Sequence, residues 1–141
     1  MGCASPHRSM VRMDVTYDGD LRCTATHGPS GATLVTDAPV DTQGKGESFS
    51  PTDLLATSTL TCIMTILAIR AESRGLDLNG MRGHIEKHMV PGPRRVGRLV
   101  AEVVLPDELE DEDRAWLIAD AASCPVTRSI SNGIDLDLHV R

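Results

Sequence analysis

The chain has 141 residues and a mass of 15.2 kDa, the size of one domain with a core large enough to fold without disulfide or metal staples. Its formal net charge is −6, and it contains one Trp, one Tyr and one Phe. These values argue against a nucleic-acid-binding protein, which needs a basic surface and aromatic side chains that stack on bases.

The first third of the sequence predicts three β-strands and a long loop. Residues 11–17 alternate between apolar and polar side chains, and Asp18-Gly19 is a typical hairpin turn. Residues 21–26 and 32–36 predict the second and third strands. Residues 37–50 are rich in Gly, Asp, Ser and Thr and show no periodicity. Loops of this length in compact domains tend to be functional or mobile.

A strong helix start follows this loop. Ser50 suits the N-cap, Pro51 suits the first helical position, and Asp53 resembles the acidic partner of a capping box. The helix is expected to run to residue 73 or 74, because Gly75 can end it in a left-handed conformation.

The first five turns of this helix carry no charge on any face. The uncharged stretch, residues 54–69, is 16 residues long and contains several Ser and Thr, so it is short for a membrane span of about 18–20 apolar residues. A helix that is neutral all round must be covered all round. A chain of this length has few residues left to cover every side of the helix. We therefore expect a homodimer in which the partner subunit covers the remaining sides.

The second half predicts two strands, two helices and a last strand. Residues 81–89 and 96–105 form a hairpin, and residues 110–123 form a helix with acidic residues near its N-terminus. Cys124-Pro125 opens a short helix to residue 130, and residues 134–140 alternate as a strand. Because strands and helices are segregated along the chain, the predicted class is α+β with antiparallel sheets.

The four cysteines, Cys3, Cys23, Cys62 and Cys124, are widely spaced and form no CxxC pair. The first ten residues lack the apolar stretch of a secretory signal. We therefore expect a cytoplasmic chain with reduced thiols, in which residues 1–10 are a flexible tail and residues 11–141 form a single domain.

Two cysteines occupy positions that bear on reactivity. Cys62 shares an apolar helix face with Leu55, Ile66 and Ile69, where burial would raise its pKa and keep it inert unless a cation lies beside it. Cys124 precedes Pro125 at a predicted helix N-terminus, where free N–H groups and the helix dipole stabilise a thiolate. Simple packing remains an alternative for both thiols.

The motifs around these cysteines resemble a known family. The segment SPTDLLA at 50–56, followed by Cys62 and 62 residues later by Cys124-Pro125-Val126, resembles the OsmC/Ohr superfamily of thiol-dependent peroxidases. The resemblance spans residues 11–140 and agrees with the predicted element order. It implies antiparallel sheets around long buried central helices, in an intertwined homodimer with two sites at its interface.

The resemblance implies a two-cysteine reduction of hydroperoxides. Cys62 as a thiolate attacks the distal peroxide oxygen and becomes a sulfenic acid, and Cys124 condenses with it to a disulfide. A dithiol reductant then restores both thiols, and neither a metal nor another cofactor is required. The apolar neighbours of Cys62 would favour organic hydroperoxides over hydrogen peroxide.

Peroxidases of this superfamily also place an Arg near the reactive thiol, and Arg22 on the second predicted strand is its match. A two-residue loop at Asp18-Gly19 would set Arg22 opposite Val15, on the apolar face of the hairpin. A three-residue loop would align Cys23 with that face and turn Arg22 to solvent. Because a one-residue slip exchanges the two faces, both orientations are open.

This sequence departs from the superfamily pattern at the carboxylate that usually accompanies the Arg. The residue ten positions before the reactive Cys is usually Glu, and here it is Thr52. Asp53 lies on the helix face opposite Cys62 and is better explained as a capping residue. Glu47, in the preceding loop, is the remaining candidate. The departure predicts reduced peroxidase efficiency and a closer resemblance to the OsmC-like branch than to the organic hydroperoxide resistance enzymes.

The segment His84-Ile85-Glu86-Lys87-His88 suggests a metal site at first sight. In a strand, however, four residues span about 13 Å, too far for His84 and His88 to share one zinc ion. We interpret these residues as the polar face of a strand. The Arg residues near the following turn are interpreted as a solvated surface.

Three hypotheses result. The first is a cytoplasmic OsmC-like homodimer that reduces hydroperoxides through Cys62 and Cys124, with no nucleic-acid or membrane partner. The second is an OsmC-like dimer that binds a small ligand or senses oxidants with little turnover. In the third hypothesis, the cysteines are buried side chains that only contribute to packing. Steady-state peroxide consumption with a dithiol reductant separates the first from the others.

Overall fold

The computed structural model describes residues 10–141. The chain divides into two compact units, of which the first ends at Pro51 and the second begins at Thr52. Cys3 and the predicted tail up to residue 9 lie outside the described residues. A single domain over residues 11–141 stays a prediction.

The first unit contains an antiparallel sheet of three strands in the order β1-β2-β3. These strands are β1 (Met13–Gly19), β2 (Arg22–His27) and β3 (Thr33–Asp37). All three predicted strands are confirmed, but the predicted turn at Asp18-Gly19 is wrong. The turn lies at Asp20 and Leu21, which adopt φ angles of 53° and 60°, because a tight hairpin turn needs two left-handed residues to match the strand twist.

The hairpin register excludes the first alternative for Arg22 and matches the second in its alignment of Cys23, although not in turning Arg22 to solvent. Val15 pairs with Ala25 and Tyr17 pairs with Cys23, so Arg22 faces away from the apolar side of the hairpin. That apolar side is itself open: Val15 and Tyr17 are 61% and 67% exposed. Arg22 does not point into solvent, since only 31% of its side chain is accessible.

The connection from β3 to the long helix is ordered by backbone contacts. It contains one 3₁₀ turn at Val40–Thr42, and the N–H of Asp37 at its start donates to the carbonyl of Phe49 near its end, at 3.0 Å. A Cβ atom on Gly44 would lie 1.8 Å from the carbonyl oxygen of Ala38. Only glycine therefore allows this close return of the chain.

The second unit contains all but the first residue of the long helix α1 (Pro51–Ser73), whose predicted bounds are confirmed. Gly75 ends it with a φ of 68°. The N–H of Leu76 donates to the carbonyl of Ala71 at 2.9 Å, and the N–H of Gly75 donates to that of Glu72 at 3.0 Å. This pair of bonds is the Schellman motif, which a left-handed glycine makes possible.

Two strands and two short helices follow α1. They are β4 (Arg82–Val90), β5 (Arg95–Val104), α2 (Asp111–Ile118) and α3 (Pro125–Asn132), and β4 and β5 form an antiparallel hairpin. The core between α1, β5 and α2 is built from Leu67, Ala71, Leu78, Leu105 and Leu117.

The predicted helix over 110–123 is wrong beyond Ile118. Residues 119–123 make tight turns, in which the N–H of Ala121 donates to the carbonyl of Ile118 at 3.2 Å. This segment also makes a tertiary contact, since Arg70 pairs with Asp120 at 2.6 Å. Arg70 also stacks on the ring of Trp116 at 4.5 Å. No periodicity in the sequence reports such contacts.

The predicted last strand, residues 134–140, is also wrong for this chain. The segment is not a strand, and its alternating apolar side chains are strongly exposed. A strand is stable only when a neighbouring strand takes up its backbone N–H and C=O groups. Within residues 10–141 no strand pairs with it.

Helix α1 is covered on only part of its surface. Leu60 and Leu67 are buried, whereas Leu55 is 41% and Ile69 57% exposed. By length and composition alone α1 could also cross a membrane, with a mean hydropathy of 1.7 over 18 residues. The core helix of a soluble protein passes the same test.

Candidate functional site

The start of α3 positions Cys124. This residue is the N-cap, with φ −80° and ψ 156°, and Pro125 occupies the first turn of the helix. Its Sγ accepts the N–H of Thr127 at 3.3 Å and lies 2.9 Å from Oγ1 of Thr127. The side chain is fully buried. The predicted location at a helix N-terminus is confirmed.

Cys62 lies half-buried on α1, beside an open groove of about 420 Å³. The groove belongs to the second unit, where α1 and the first turn of α3 form its walls. Its lining residues are Ser58, Thr61, Cys62, Thr65, Ile66, Pro125 and Val126. A small molecule in this groove would therefore meet the Cys62 thiol from the solvent side.

The fold brings the two thiols together. Cys62 on α1 and Cys124 at the start of α3 lie close enough for each thiol to influence the pKa of the other, and the backbone of Val126 influences both. In the sequence the two residues are 62 positions apart. Their pairing in space was predicted only by the family resemblance, because spacing along the chain does not report which helix ends meet.

The surroundings shift the pKa values of the two thiols in opposite directions. Burial raises the pKa of Cys62, and the neighbouring Cys124 raises it further against the opposing effect of the Val126 N–H. Burial is also the largest single influence on the pKa of Cys124, and by itself it would raise that pKa. The opposing effects together outweigh it, and they come from the Thr127 hydroxyl and N–H, the Cys62 thiol and the Val126 N–H. The pKa of Cys124 is therefore lowered.

The apolar wall expected beside Cys62 is only partly present. Ile66 lines the groove, whereas Leu55 and Ile69 are exposed elsewhere on α1 and do not line it. Hydroxyl side chains complete the wall, and those of Thr61 and Thr65 donate to carbonyl groups of α1 at 3.0 and 2.8 Å. Because these hydroxyls are already hydrogen-bonded, the groove is less polar than its composition suggests.

Arg22 belongs to a charged cluster within the first unit. Its Nη2 lies 3.2 Å from Oδ2 of Asp37 and 2.5 Å from Oε2 of Glu47. The N–H of Glu47 donates to Oδ2 of Asp37 at 2.9 Å. Hydrogen bonds to the two carboxylates raise the pKa of Arg22. The Glu47 N–H, followed by Arg22, holds the pKa of Asp37 below its usual range despite the opposing effect of burial.

Asp37 is the residue that sequence reasoning missed. It is fully buried and stands directly opposite Arg22 in the β2–β3 pairing. An opposite-charge pair across two strands is a recognisable signal once the register is known. Within the described residues, Oδ1 of Asp37 and Nε of Arg22 are buried and have no hydrogen-bond partner.

The helix start holds a cation where the superfamily pattern has a carboxylate. Nζ of Lys87 on β4 donates to Oγ1 of Thr52 at 2.6 Å and pairs with Oδ1 of Asp53 at 2.8 Å. The departure at Thr52 therefore changes the charge at this point and not only the length of the side chain. The carboxylate found beside Arg22 comes instead from Glu47, the loop candidate identified in the sequence.

The histidines of β4 lie on its polar face, as predicted. His84, Glu86 and His88 are exposed, while Ile85 and Lys87 between them are partly buried. His88 pairs with Glu86 at 3.1 Å. Over residues 10–141, no group of three or more His, Cys, Asp or Glu side chains is placed to hold a metal ion. Cys23, half-buried on β2, lies opposite Tyr17 and Thr36.

Comparison with known proteins identifies the family. The family described as OsmC-like protein matches residues 44–139. The chain belongs to the OsmC-like family. A crystal structure of a candidate osmotic-stress-induced and detoxification-response protein from Psychrobacter arcticus 273-4 is 42% identical to this OsmC-like protein, with a TM-score of 0.81. The match covers 89% of this chain and 91% of that one. No curated protein matches the chain.

More distant structures share the OsmC-like fold. The organic hydroperoxide resistance protein OsmC from Legionella pneumophila is 17% identical, with a TM-score of 0.65 over 87% of this chain and 90% of that one. An OsmC-like protein from Mycoplasma pneumoniae is 12% identical, with a TM-score of 0.72 over 88% and 89%. These likenesses confirm the predicted α+β class with antiparallel sheets.

Proposed function

We propose that this OsmC-like protein is a thiol-dependent peroxidase that reduces organic hydroperoxides through Cys62 and Cys124. The observation that carries the proposal is the proximity of the two thiols, one beside an open groove and the other buried at a helix N-terminus. A partly exposed sulfur can meet a peroxide. A second thiol nearby can then form a disulfide with it.

The reaction proceeds in three steps. The Cys62 sulfur attacks the distal peroxide oxygen, the O–O bond breaks, and the sulfur becomes a sulfenic acid while the peroxide leaves as an alcohol. Cys124 then attacks the Cys62 sulfur, which releases water and leaves a disulfide. An external dithiol reduces this disulfide by thiol–disulfide exchange and regenerates both thiols.

Arg22 is proposed to stabilise the negative charge that develops during the first step, and Glu47 to orient it. The support is the fork of hydrogen bonds from Arg22 to Glu47 and Asp37, which fixes one side of the guanidinium while Nε stays without a partner among residues 10–141. A preorganised cation of this kind acts without reorganisation cost in the transition state.

The active form is proposed to be a homodimer. Helix α1 carries no charge from residue 54 to 69, yet Leu55 and Ile69 are exposed in the single chain. Residues 134–140 add an exposed, alternating apolar segment that has no strand partner within residues 10–141. A second copy of the chain would remove both surfaces from water.

A ligand-binding function with little turnover is the second candidate. It is favoured by a cavity of about 560 Å³ in the second unit, between α1, β5 and α2, whose lining includes Ile63, Leu67, Leu105 and Ile118. A volume of this size suits a small apolar molecule. Steady-state turnover separates the two candidates, because a binding protein would consume at most one peroxide per thiol pair.

The deciding experiment is disulfide mapping. Reduced protein is treated with a stoichiometric organic hydroperoxide, free thiols are blocked, and the digest is analysed by mass spectrometry. A Cys62–Cys124 link with Cys3 and Cys23 still free is expected, together with continuous peroxide consumption when a dithiol is supplied. Reduced Cys62 in a protein that remains folded would overturn the peroxidase proposal.

A further inference from the structure

Asp37, the last residue of β3, holds the neck of the loop that follows this strand. Its own N–H donates to the carbonyl of Phe49 at 3.0 Å, and its Oδ2 accepts the N–H of Glu47 at 2.9 Å. The same oxygen accepts a hydrogen bond from Nη2 of Arg22 at 3.2 Å. One carboxylate oxygen therefore joins strand β2 to the returning end of the loop.

The two carboxylates that contact Arg22 differ in their exposure to water. The side chain of Asp37 is fully buried, whereas 61% of the Glu47 side chain is accessible. Water and dissolved ions screen an exposed ion pair, which therefore contributes little. A buried carboxylate keeps more of its attraction for a cation, because its surroundings respond less to charge. The electrostatic hold on Arg22 therefore comes mainly from Asp37.

The backbone also places Asp37 and Glu47 differently. Asp37 stands directly opposite Arg22 in the β2–β3 register, and paired residues of antiparallel strands have their side chains on the same face, about 5 Å apart at Cβ. Glu47 belongs to the loop, and its N–H is bonded to Asp37. Removal of the Asp37 charge would therefore loosen both neighbours, whereas removal of the Glu47 charge would leave the pair across the strands intact.

We propose that Asp37 is the positioning residue of this cluster, which fixes the Arg22 guanidinium directly and places Glu47 through the Glu47 N–H. The consequence for catalysis rests on the proposed peroxidase function, in which Arg22 stabilises the charge that develops on the peroxide. The hold on Arg22 does not rest on that function. Asp37 acts on the reaction only through Arg22 and contacts neither the peroxide nor the reactive thiol.

The hold on Arg22 can be measured without peroxide. Nε of Arg22 is buried, and its N–H signal in a ¹⁵N spectrum is the one that disappears in Arg22→Lys. Asp37→Asn should speed the hydrogen exchange of this N–H by about tenfold or more, because it removes a hydrogen bond to a charged group. Glu47→Gln should speed it by less than about threefold. Asp14→Asn, at an exposed ion pair of the same unit, is the matched control and should not change it.

Single-turnover oxidation of Cys62 by a hydroperoxide tests the consequence for catalysis. Asp37→Asn should slow this oxidation by about tenfold in the parent, as loss of a preorganised charge donor does. In an Arg22→Ala background it should slow the oxidation no further, whereas a general loss of structure would slow both backgrounds alike. Salt at about 1 M should remove the smaller effect of Glu47→Gln and leave that of Asp37→Asn. Circular dichroism verifies that each variant is folded.

Two results would overturn the inference. An Arg22 N–H that stays protected in folded Asp37→Asn, or in Asp37→Ser if the asparagine variant does not fold, would remove Asp37 from the positioning role. A further slowing by Asp37→Asn in the Arg22→Ala background would show that Asp37 acts on the fold and not through Arg22. Failure of the peroxidase proposal looks different, since peroxide would then leave Cys62 reduced in the parent while the exchange rates still rank the variants in the expected order.

Discussion

Nζ of Lys87 lies 2.6 Å from Oγ1 of Thr52, so a cation occupies the helix start at which peroxidases of this superfamily carry a glutamate. Lys87 is held there by Asp53 as well, at 2.8 Å. The carboxylates that contact Arg22 come from outside this helix, Asp37 from the end of β3 and Glu47 from the loop that follows. The carboxylates around Arg22 therefore do not come from α1. They can be mutated without changing a residue of that helix.

Arg22→Ala should slow the oxidation of Cys62 by hydroperoxide by a factor of about ten or more, because one preorganised charge donor in a transition state is worth at least this much. Stopped-flow measurement of sulfenic acid formation under single-turnover conditions gives the rate. Arg12→Ala is the control, since Arg12 pairs with Asp14 on the exposed surface of the same unit. Equal rates for both variants would remove Arg22 from the reaction.

Asp37→Asn should destabilise the protein at neutral pH. The pKa of Asp37 is lowered in the folded chain, so its stabilisation is present above the unfolded pKa of about 3.9 and is lost as the pH falls through the lower folded pKa. Urea midpoints of the variant and the parent should therefore differ at pH 7 and converge in acid. Asp14→Asn, at an exposed pair, should leave the midpoint nearly unchanged at both pH values.

Cys62→Ser should abolish peroxide consumption, because it removes the sulfur that forms the sulfenic acid. Cys124→Ser should permit one oxidation and leave a sulfenic acid on Cys62 that dimedone-type reagents trap. Cys23→Ser should behave like the parent, since Cys23 is half-buried on β2 opposite Tyr17 and Thr36 and has no role in the proposed reaction. Turnover by the Cys62→Ser variant would refute the assignment of the reactive thiol.

The protein should be a homodimer at low micromolar concentration, as measured by light scattering. Ile69→Glu should shift it toward monomer or aggregate, because burial of apolar surface contributes about 25 cal/mol per Å² and a buried charge reverses that gain. Val40→Glu, at an exposed 3₁₀ turn, is the control. A parent protein that stays folded and monomeric would contradict the dimer.

Gly75→Ala should lower the free energy of unfolding by about 1 kcal/mol, since a side chain disfavours the left-handed conformation. A Cβ atom at Gly75 meets no atom within 4 Å, so the cost would be purely conformational. Gly75→Asn should recover part of the loss, because Asn tolerates this conformation. Chemical denaturation measures the differences, and equal losses for Ala and Asn would point to a cause other than the backbone.

Parts of this structure could be predicted from the sequence because they depend on local chemistry. The bounds of α1 follow from Ser50-Pro51 and Gly75, and the position of Cys124 at a helix start follows from Pro125. In each case the residue itself restricts the backbone, and that restriction does not depend on the rest of the fold. The polar face of β4 was readable for a similar reason, since strand alternation is a local property.

Tertiary structure decided the remainder. The hairpin register, which a single-residue slip can invert, selected Asp37 as the partner of Arg22. Asp120, just beyond the end of α2, pairs with the distant Arg70. Residues 134–140 alternate as a strand should but have no strand beside them within residues 10–141. Folding also placed Thr127 against the sulfur of Cys124. Periodicity records only which side chains share a face, whereas hydrogen bonds and ion pairs between distant elements depend on distances that folding alone creates.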